Sequence, residues 1–184
     1  MDLSAHILTK TPDSVLAAAS LIRLVLLDVD GVLTDGKLYY GNTGEELKAF
    51  NIQDGLGIKL LQRAGIEVGV ITGRQSSLLE RRANELGMGP VIQGREDKST
   101  VLAELCQKHS LALADICFIG DDLPDLKVIR NVGLGVCVAN ANAALVQYAH
   151  WQTYARGGEG AVREVAEMIL AAQGTLDNLL AFYL

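Results

Sequence analysis

The sequence predicts an α/β protein built on a doubly wound, mainly parallel sheet with helices on both faces. Three observations point there. Strand and helix signals alternate along most of the 184 residues, which is the rhythm of successive βαβ units. Several strand candidates are apolar at every position, as in L-V-L-L at 24–27 and I-C-F-I at 116–119, a pattern that suits strands covered on both sides. Polar clusters follow directly on those strands, where open α/β sheets gather their ligands.

The elements follow in order. Residues 1–20 read as an N-terminal arm with a short helix over 12–20, and residues 23–27 as the first strand. Residues 36–52 read as a hairpin insertion, with arms at 37–40 and 46–51 joined through Gly41-Asn42-Thr43-Gly44, since Gly and Asn tolerate positive φ. Leu38, Tyr39, Tyr40 and Phe50 are more apolar groups than an isolated two-stranded unit can leave in water, so a partner is expected to cover them. Asp54 reads as the cap of a helix running to Ala64, with Ile58, Leu60 and Leu61 inward and Gly65 as its stop. A strand at 67–71 leads to an amphipathic helix at 76–86, ended by Gly87, and then to a short strand at 91–93. Beyond these come a helix at 98–109, a strand at 116–120, a short helix at 123–130, a strand at 134–138, and helices at 141–148 and 160–172. Residues 173–184 form a tail. No break in composition divides the chain, so one domain over 1–184 is expected.

Composition narrows the function. Hydrophobic residues make up 49% of the chain, enough for a core without disulfide staples. The net charge of -6 argues against nucleic-acid binding, which wants a basic face. An anionic small molecule remains compatible, because a local group of cations overrides the global sign. Cys106, Cys117 and Cys137 are odd in number and form no C-x-x-C pair, so they read as reduced, mostly buried thiols in a reducing compartment. The N-terminus carries no basic segment followed by an apolar core, and no apolar run approaches the ~18 residues of a membrane span. A cytoplasmic location without membrane association is the expectation. His6, His109 and His150 fit no metal spacing and no nucleophile–base pattern, so structural roles are expected for all three.

Four polar signals carry the chemistry. Asp28-Val29-Asp30-Gly31 closes the first strand and Thr72-Gly73-Arg74 the second; Lys98 opens a helix; Gly120-Asp121-Asp122-Leu123-Pro124-Asp125 follows the strand at 116–120. Each alone has a plainer reading as a turn, a helix cap, a solvated lysine or an acidic helix start. In a parallel sheet, however, these strand ends point the same way and meet on one rim. Carboxylates gathered there are costly unless a cation pairs with them. Oxygen ligands suit Mg²⁺ together with a substrate phosphate, and a carboxylate can itself attack phosphorus to give an aspartyl phosphate.

The four motifs, in this order, resemble those of the haloacid dehalogenase superfamily over residues 21–177. The stretches D-G-V-L-T-D-G, F-N-I-Q-D-G-L-G-I, G-D-D-L-P-D-L and G-G-E-G-A-V-R-E look like its capless branch, which hydrolyses 3-deoxy-D-manno-octulosonate 8-phosphate in lipopolysaccharide precursor synthesis. The resemblance implies Asp28 as nucleophile and Asp30 as the acid that protonates the leaving oxygen and then activates water. It implies Mg²⁺ on the Asp28 side chain, the Asp30 carbonyl and Asp121, with Asp122 and Asp125 orienting waters and Lys98. Thr72 and Lys98 would bind the transferred phosphoryl group beside Gly73. Arg74 would grip an acidic group of the sugar phosphate, and Arg156, Gly157 and Gly158 would belong to a loop closing over it. A homotetramer in which a neighbour walls the site is also implied. The apolar tail reads either as a segment near the site or as packing for a neighbouring subunit. Two alternatives remain: a phosphatase for a nine-carbon acidic sugar phosphate, and a non-catalytic scaffold homologue, which would have lost one or more of the acids present here.

Overall fold

The computed structural model describes residues 3–43 and 46–183. Two short helices, α1 (Leu3–Lys10) and α2 (Asp13–Ala19), precede the first strand, β1 (Leu24–Leu27). A small hairpin of β2 (Tyr39–Tyr40) and β3 (Glu46–Leu47) leads to α3 (Ile52–Arg63). The chain continues through β4 (Glu67–Ile71), α4 (Ser77–Leu86), β5 (Val91–Ile92), α5 (Lys98–His109) and β6 (Ile116–Gly120). It ends with α6 (Leu126–Ile129), β7 (Leu134–Cys137), α7 (Ala143–Val146), β8 (Trp151–Gln152), α8 (Ala161–Ala172) and α9 (Leu176–Leu180).

Six strands form one sheet in the order β5-β4-β1-β6-β7-β8, every neighbouring pair parallel. The uniform apolarity of the central strands follows from cover on both faces. Val25 and Leu27 of β1 pack into the cluster that holds Ile58 and Leu61 of α3 and Val165 and Ile169 of α8. Leu24 and Leu26 pack on the other side, with Val101 and Leu105 of α5 and Val128 and Ile129 of α6. From β1 the chain first builds one wing, β4 and β5, and then crosses back to β6 on the opposite side of β1. The crevice outside the carboxyl ends of β1 and β6 is therefore the switch point of the sheet, where ligands bind in open α/β folds.

Several expectations change in detail. Helix α3 is capped by Asn51, whose side chain accepts from Gln53 N at 2.8 Å; Asp54 lies inside the first turn and does other work. The hairpin strands are two residues each, paired Tyr39 with Leu47 and Tyr40 with Glu46. Phe50 leaves the hairpin and packs half-buried against the core, so the need for cover falls on Leu38, Tyr39, Tyr40 and Leu47, all exposed. Gly44, the last residue of the expected turn, lies outside the described residues, as do Met1 and Asp2 of the arm and Leu184 of the tail. Helix α1 and the edge strand β8 are additions to the sequence reading. Helix α7 is shorter than 141–148 because Asn142 caps it, accepting from Ala144 N at 3.0 Å. Among the described residues no helix is long and apolar enough to cross a membrane.

The tail differs most. Helix α9 buries Leu176 and packs on α8 and α1, with Ser4 Oγ donating to Asp177 at 2.6 Å. Arg63 donates to the Tyr183 hydroxyl at 2.8 Å and stacks over the Phe182 and Tyr183 rings. Arg63 is the last residue of α3. The described part of the tail is therefore docked at the C-terminal end of α3, about 18 Å along that helix from its first turn.

Candidate active site

Each motif arrives at the rim from its own strand. Asp28 follows β1 directly, its N–H donating to Ile119 O at 2.9 Å as the ladder ends. The turn beyond it winds tightly, with Val32, Leu33 and Thr34 all donating to Val29 O. Thr34 fixes the turn from inside, since its hydroxyl accepts from Gly31 N and Gly36 N, each at 3.3 Å. Asp121 follows β6, and Asp125 closes the 3₁₀ turn Leu123–Asp125 that leads into α6. Gly31 sits at φ +100°, and a methyl there would fall on the Asp121 carboxylate. Only glycine satisfies both that backbone and that close approach.

The electrostatics centre on Lys98, the first residue of α5. Its ammonium is buried and donates to Asp28 Oδ1 at 2.6 Å and to Asp125 Oδ1 at 2.7 Å. A cation at a helix N-terminus opposes the helix dipole, and here two carboxylates outweigh that cost. Burial pulls the Lys98 pKa down, but Asp28 and Asp125 more than reverse it, and the net shift is upward. The Phe118 ring lies under the ammonium at 5.7 Å, a distance at which its face adds attraction. Asp125 spends its second oxygen on the N–H groups of Asp121 and Asp122, at 3.0 and 3.5 Å. It thus orients Lys98 and the 121–122 backbone together, and both of its oxygens are engaged.

One lysine does not balance this cluster. Oxygens of Asp28, Asp121 and Asp125 lie within 4.8 Å of one another. Burial and then the Asp125 charge push Asp28 up to about 6, against the pull of Lys98. Burial and then Asp28, Asp125 and Asp122 push Asp121 up to about 7. Two crowded carboxylates that resist ionisation mark a site built for another cation. The all-oxygen donor set suits a hard divalent ion such as Mg²⁺. Of the three clustered acids, Asp125 has both oxygens engaged, which leaves Asp28 and Asp121 to offer theirs.

The cavity over this cluster measures about 630 Å³ and is lined by Asp28, Asp30, Thr72, Gly73, Arg74, Lys98, Asp121, Asp122 and Asp125, together with Gly36, Glu96 and Pro124. The first nine are the candidate site residues of the sequence; Gly36 and Pro124 stand inside its motifs without an assigned role, and Glu96 is given none. Thr72 is buried, and its oxygen accepts from Arg74 N at 3.3 Å, leaving its O–H to donate. The Asp30 carboxylate pairs with Arg74 Nε at 3.5 Å on one oxygen and with Lys48 on the other. Lys48 is a residue the sequence reading did not single out.

Arg156, Gly157 and Gly158 are placed differently from expectation. Arg156 is exposed and outside the cavity lining. A methyl at Gly157 would overlap the Gly31 carbonyl, and one at Gly158 would crowd the Thr34–Asp35 peptide. Gly158 N donates to Val32 O at 2.9 Å, and Gly157 N donates to Asn140 Oδ1 at 2.9 Å. The glycines are thus explained by close packing behind the Asp28 turn, not by mobility over it. Asp54 secures the same segment from below, accepting from Gly160 N at 3.3 Å and Arg163 N at 2.9 Å. It caps α8, whose own cap residue is a glycine.

Comparison with known proteins gives the family and the fold's relatives. Residues 90–164 match the family model of haloacid dehalogenase-like hydrolases. The chain is 46% identical over 176 residues to 3-deoxy-D-manno-octulosonate 8-phosphate phosphatase KdsC of Salmonella typhi, covering 96% of this chain and 89% of that protein. It is 48% identical over 164 residues to the KdsC of Escherichia coli K12, with 89% and 87% covered. The crystal structure of 3-deoxy-D-manno-octulosonate 8-phosphate phosphatase from Moraxella catarrhalis, in complex with magnesium ion, phosphate ion and KDO, superposes with a TM-score of 0.93 at 43% identity, covering 95% of this chain and 100% of that one.

Proposed function

The chain belongs to the haloacid dehalogenase-like hydrolases, in the same family as the 3-deoxy-D-manno-octulosonate 8-phosphate phosphatases, and from that premise we propose that it is a Mg²⁺-dependent phosphatase of that sugar phosphate. The products are the free sugar acid and inorganic phosphate, and the place of the reaction is lipopolysaccharide precursor synthesis. The observation that carries the reading is the Asp28–Lys98 contact inside a carboxylate cluster at the switch point of the sheet.

Mg²⁺ would be held by the Asp28 and Asp121 side chains and the Asp30 carbonyl. When bound, it supplies positive charge against the crowded carboxylates and the phosphoryl oxygens. The chain's own residues do the rest. Asp28 attacks phosphorus in line, the bond to the sugar oxygen breaks, and an aspartyl phosphate forms. Asp30 gives its proton to the departing sugar oxygen, then takes one from the water that hydrolyses the acyl phosphate. That hydrolysis restores the Asp28 carboxylate and releases phosphate. The Lys98 ammonium and the Thr72 hydroxyl bind phosphoryl oxygens during transfer, with Gly73 leaving room beside them. Arg74 meets the acidic end of the substrate, for which a planar fork of donors is suited. Asp122 and Asp125 hold the backbone and Lys98 in place.

We read residues 1–184 as one cytoplasmic catalytic unit that assembles as a homotetramer. Tyr39, Tyr40, Leu47 and Ile52 are exposed on the hairpin and the start of α3, a patch that a neighbouring subunit would cover. A monomer in light scattering at micromolar concentration overturns the assembly.

The test of function is phosphate release across a panel of sugar-acid phosphates, with and without Mg²⁺. Selective, metal-dependent release from the octulosonate 8-phosphate is expected. Turnover of a nine-carbon acid phosphate instead keeps the chemistry and replaces the substrate. No turnover by folded, metal-loaded protein favours the scaffold reading.

A further inference from the structure

The Asp30 side chain is held from two directions. Arg74 reaches one oxygen from the turn after β4, and Lys48 reaches the other from the hairpin. The Lys48 side chain is only 2% exposed. An ammonium taken that far from water is costly unless a carboxylate meets it, and Asp30 does. Lys48 follows β3 directly, but its backbone is tied to the core just downstream. Phe50 packs against the main apolar cluster. Asn51 caps α3 and donates through Nδ2 to Gly158 O at 3.3 Å. The donor therefore comes from an anchored segment. Lys48 is not among the residues that line the cavity, so it acts on the reaction through Asp30.

We propose that Lys48 is a positioning residue for proton transfer, fixing the Asp30 carboxylate at the angle from which it serves the leaving sugar oxygen. The inference rests on the reading of Asp30 as the acid, and the experiment separates the two. The hairpin thereby has a second use besides apolar contact, since it carries one of the two cations that aim the acid. The effect belongs to the aspartylation step, in which the bond from phosphorus to the leaving oxygen breaks as the proton of Asp30 passes to that oxygen.

The experiment compares single-turnover aspartylation for two leaving groups. An alkoxide such as the sugar oxygen needs a proton, whereas p-nitrophenolate leaves without one. In Lys48→Met, aspartylation by 3-deoxy-D-manno-octulosonate 8-phosphate should slow roughly 10- to 100-fold, the scale on which misplacing a catalytic group costs rate. The p-nitrophenolate burst should stay within about twofold, because general-acid catalysis contributes nothing to it. Lys48→Arg, which keeps the charge, should show the same discrimination at smaller size, and it decides the matter if Lys48→Met does not fold. Asp30→Asn is the control. If it lacks the discrimination, the reading of Asp30 itself fails. If Asp30→Asn discriminates but the Lys48 variants slow both substrates equally, slow neither, or raise only KM, the lysine serves folding or binding and the proposal is overturned.

Discussion

Lys98→Met should destabilise the metal-free protein by an amount that grows with pH. Methionine nearly fills the space of the lysine, so the change removes a charge rather than opening a cavity. Two charge-assisted contacts are lost, at 2.6 Å to Asp28 and 2.7 Å to Asp125, and both acids stay in place with 11% and 2% of their side chains exposed. Breaking a buried pair by removing one partner costs about 3–5 kcal/mol when the remaining charge cannot escape. Asp28 can escape by taking a proton. Its pKa already stands at about 6, against an ordinary 3.8, with Lys98 pulling it down; without Lys98 it rises further. A carboxylate whose folded pKa is raised holds more protons folded than unfolded between those two values. Its contribution to stability is therefore lost as pH rises through that window. At pH 5 the Asp28 carboxyl is neutral, and its share of the loss should be on the order of 1 kcal/mol, that of a missing hydrogen bond, added to what leaving Asp125 without Lys98 costs at either pH. At pH 8 it should approach 3–5 kcal/mol. Urea unfolding in EDTA at the two pH values measures both numbers, with equal m-values as the check that the unfolding reaction is the same. A penalty that is equal at both pH values, or larger at pH 5, refutes the reasoning. Mg²⁺ at pH 8 should restore part of the stability without restoring turnover, since the charge that binds the transferred group is gone.

Other expectations follow from the same contacts. Gly157→Ala forces a methyl onto the Gly31 carbonyl and should cost about 3 kcal/mol of stability and much of the activity, whereas Gly65→Ala, at φ +83° but in open space, should cost only about 1 kcal/mol; urea unfolding of the pair separates crowding from backbone strain. Asp54→Ala uncaps α8 and should lower stability by about 1–2 kcal/mol, with earlier amide exchange at Gly160 and Arg163 than elsewhere in α8. Protons on Asp28 (about 6) and Asp121 (about 7) compete with a cation, so the rise in Tm on adding Mg²⁺ should be larger at pH 8 than at pH 5 in parallel thermal scans; an equal rise counts against these two acids as the ligands.

The parallel architecture and most of the site were legible because each carries a strong local signal. Uniformly apolar strands announce cover on both faces, and Asp28 and Asp121 each stand immediately beyond one, while Thr72 follows a strand whose first residue, Glu67, is exposed. Lys98 became legible only in their company, since its own neighbours, Arg95, Glu96 and Asp97, form an ordinary charged run. What escaped depends on partners distant in sequence. Lys48 looks like any polar residue of a hairpin arm, and its burial against Asp30, eighteen residues earlier, exists only in the folded chain. Asp54 carries the signature of a helix cap and is one, but for α8, more than a hundred residues on. Gly157 and Gly158 have the composition of a mobile loop. Their true constraint, the Gly31–Asp35 backbone pressed against them, has no trace in the local sequence. Strand β8 is two residues at a sheet edge, too short for any periodicity.

These distant partners explain how a turn of few residues can hold charges so close together. The Asp28 turn is bonded inward through Thr34, backed by Gly157 and Gly158, and tied through that segment to Asn140, Asp54 and Asn51. The Asp121 turn is tied to Asp125, and its carbonyl accepts from Asn142 N at 2.8 Å. The two turns meet where Gly31 lacks a side chain and the Asp121 carboxylate takes the space. Repulsion among these acids would open an unsupported rim. The surrounding contacts instead make opening more costly than crowding, so the electrostatic cost remains at the centre of the cluster. A cation that binds there relieves a cost already built into the fold, which is why the same contacts that give the protein its shape also set its appetite for metal.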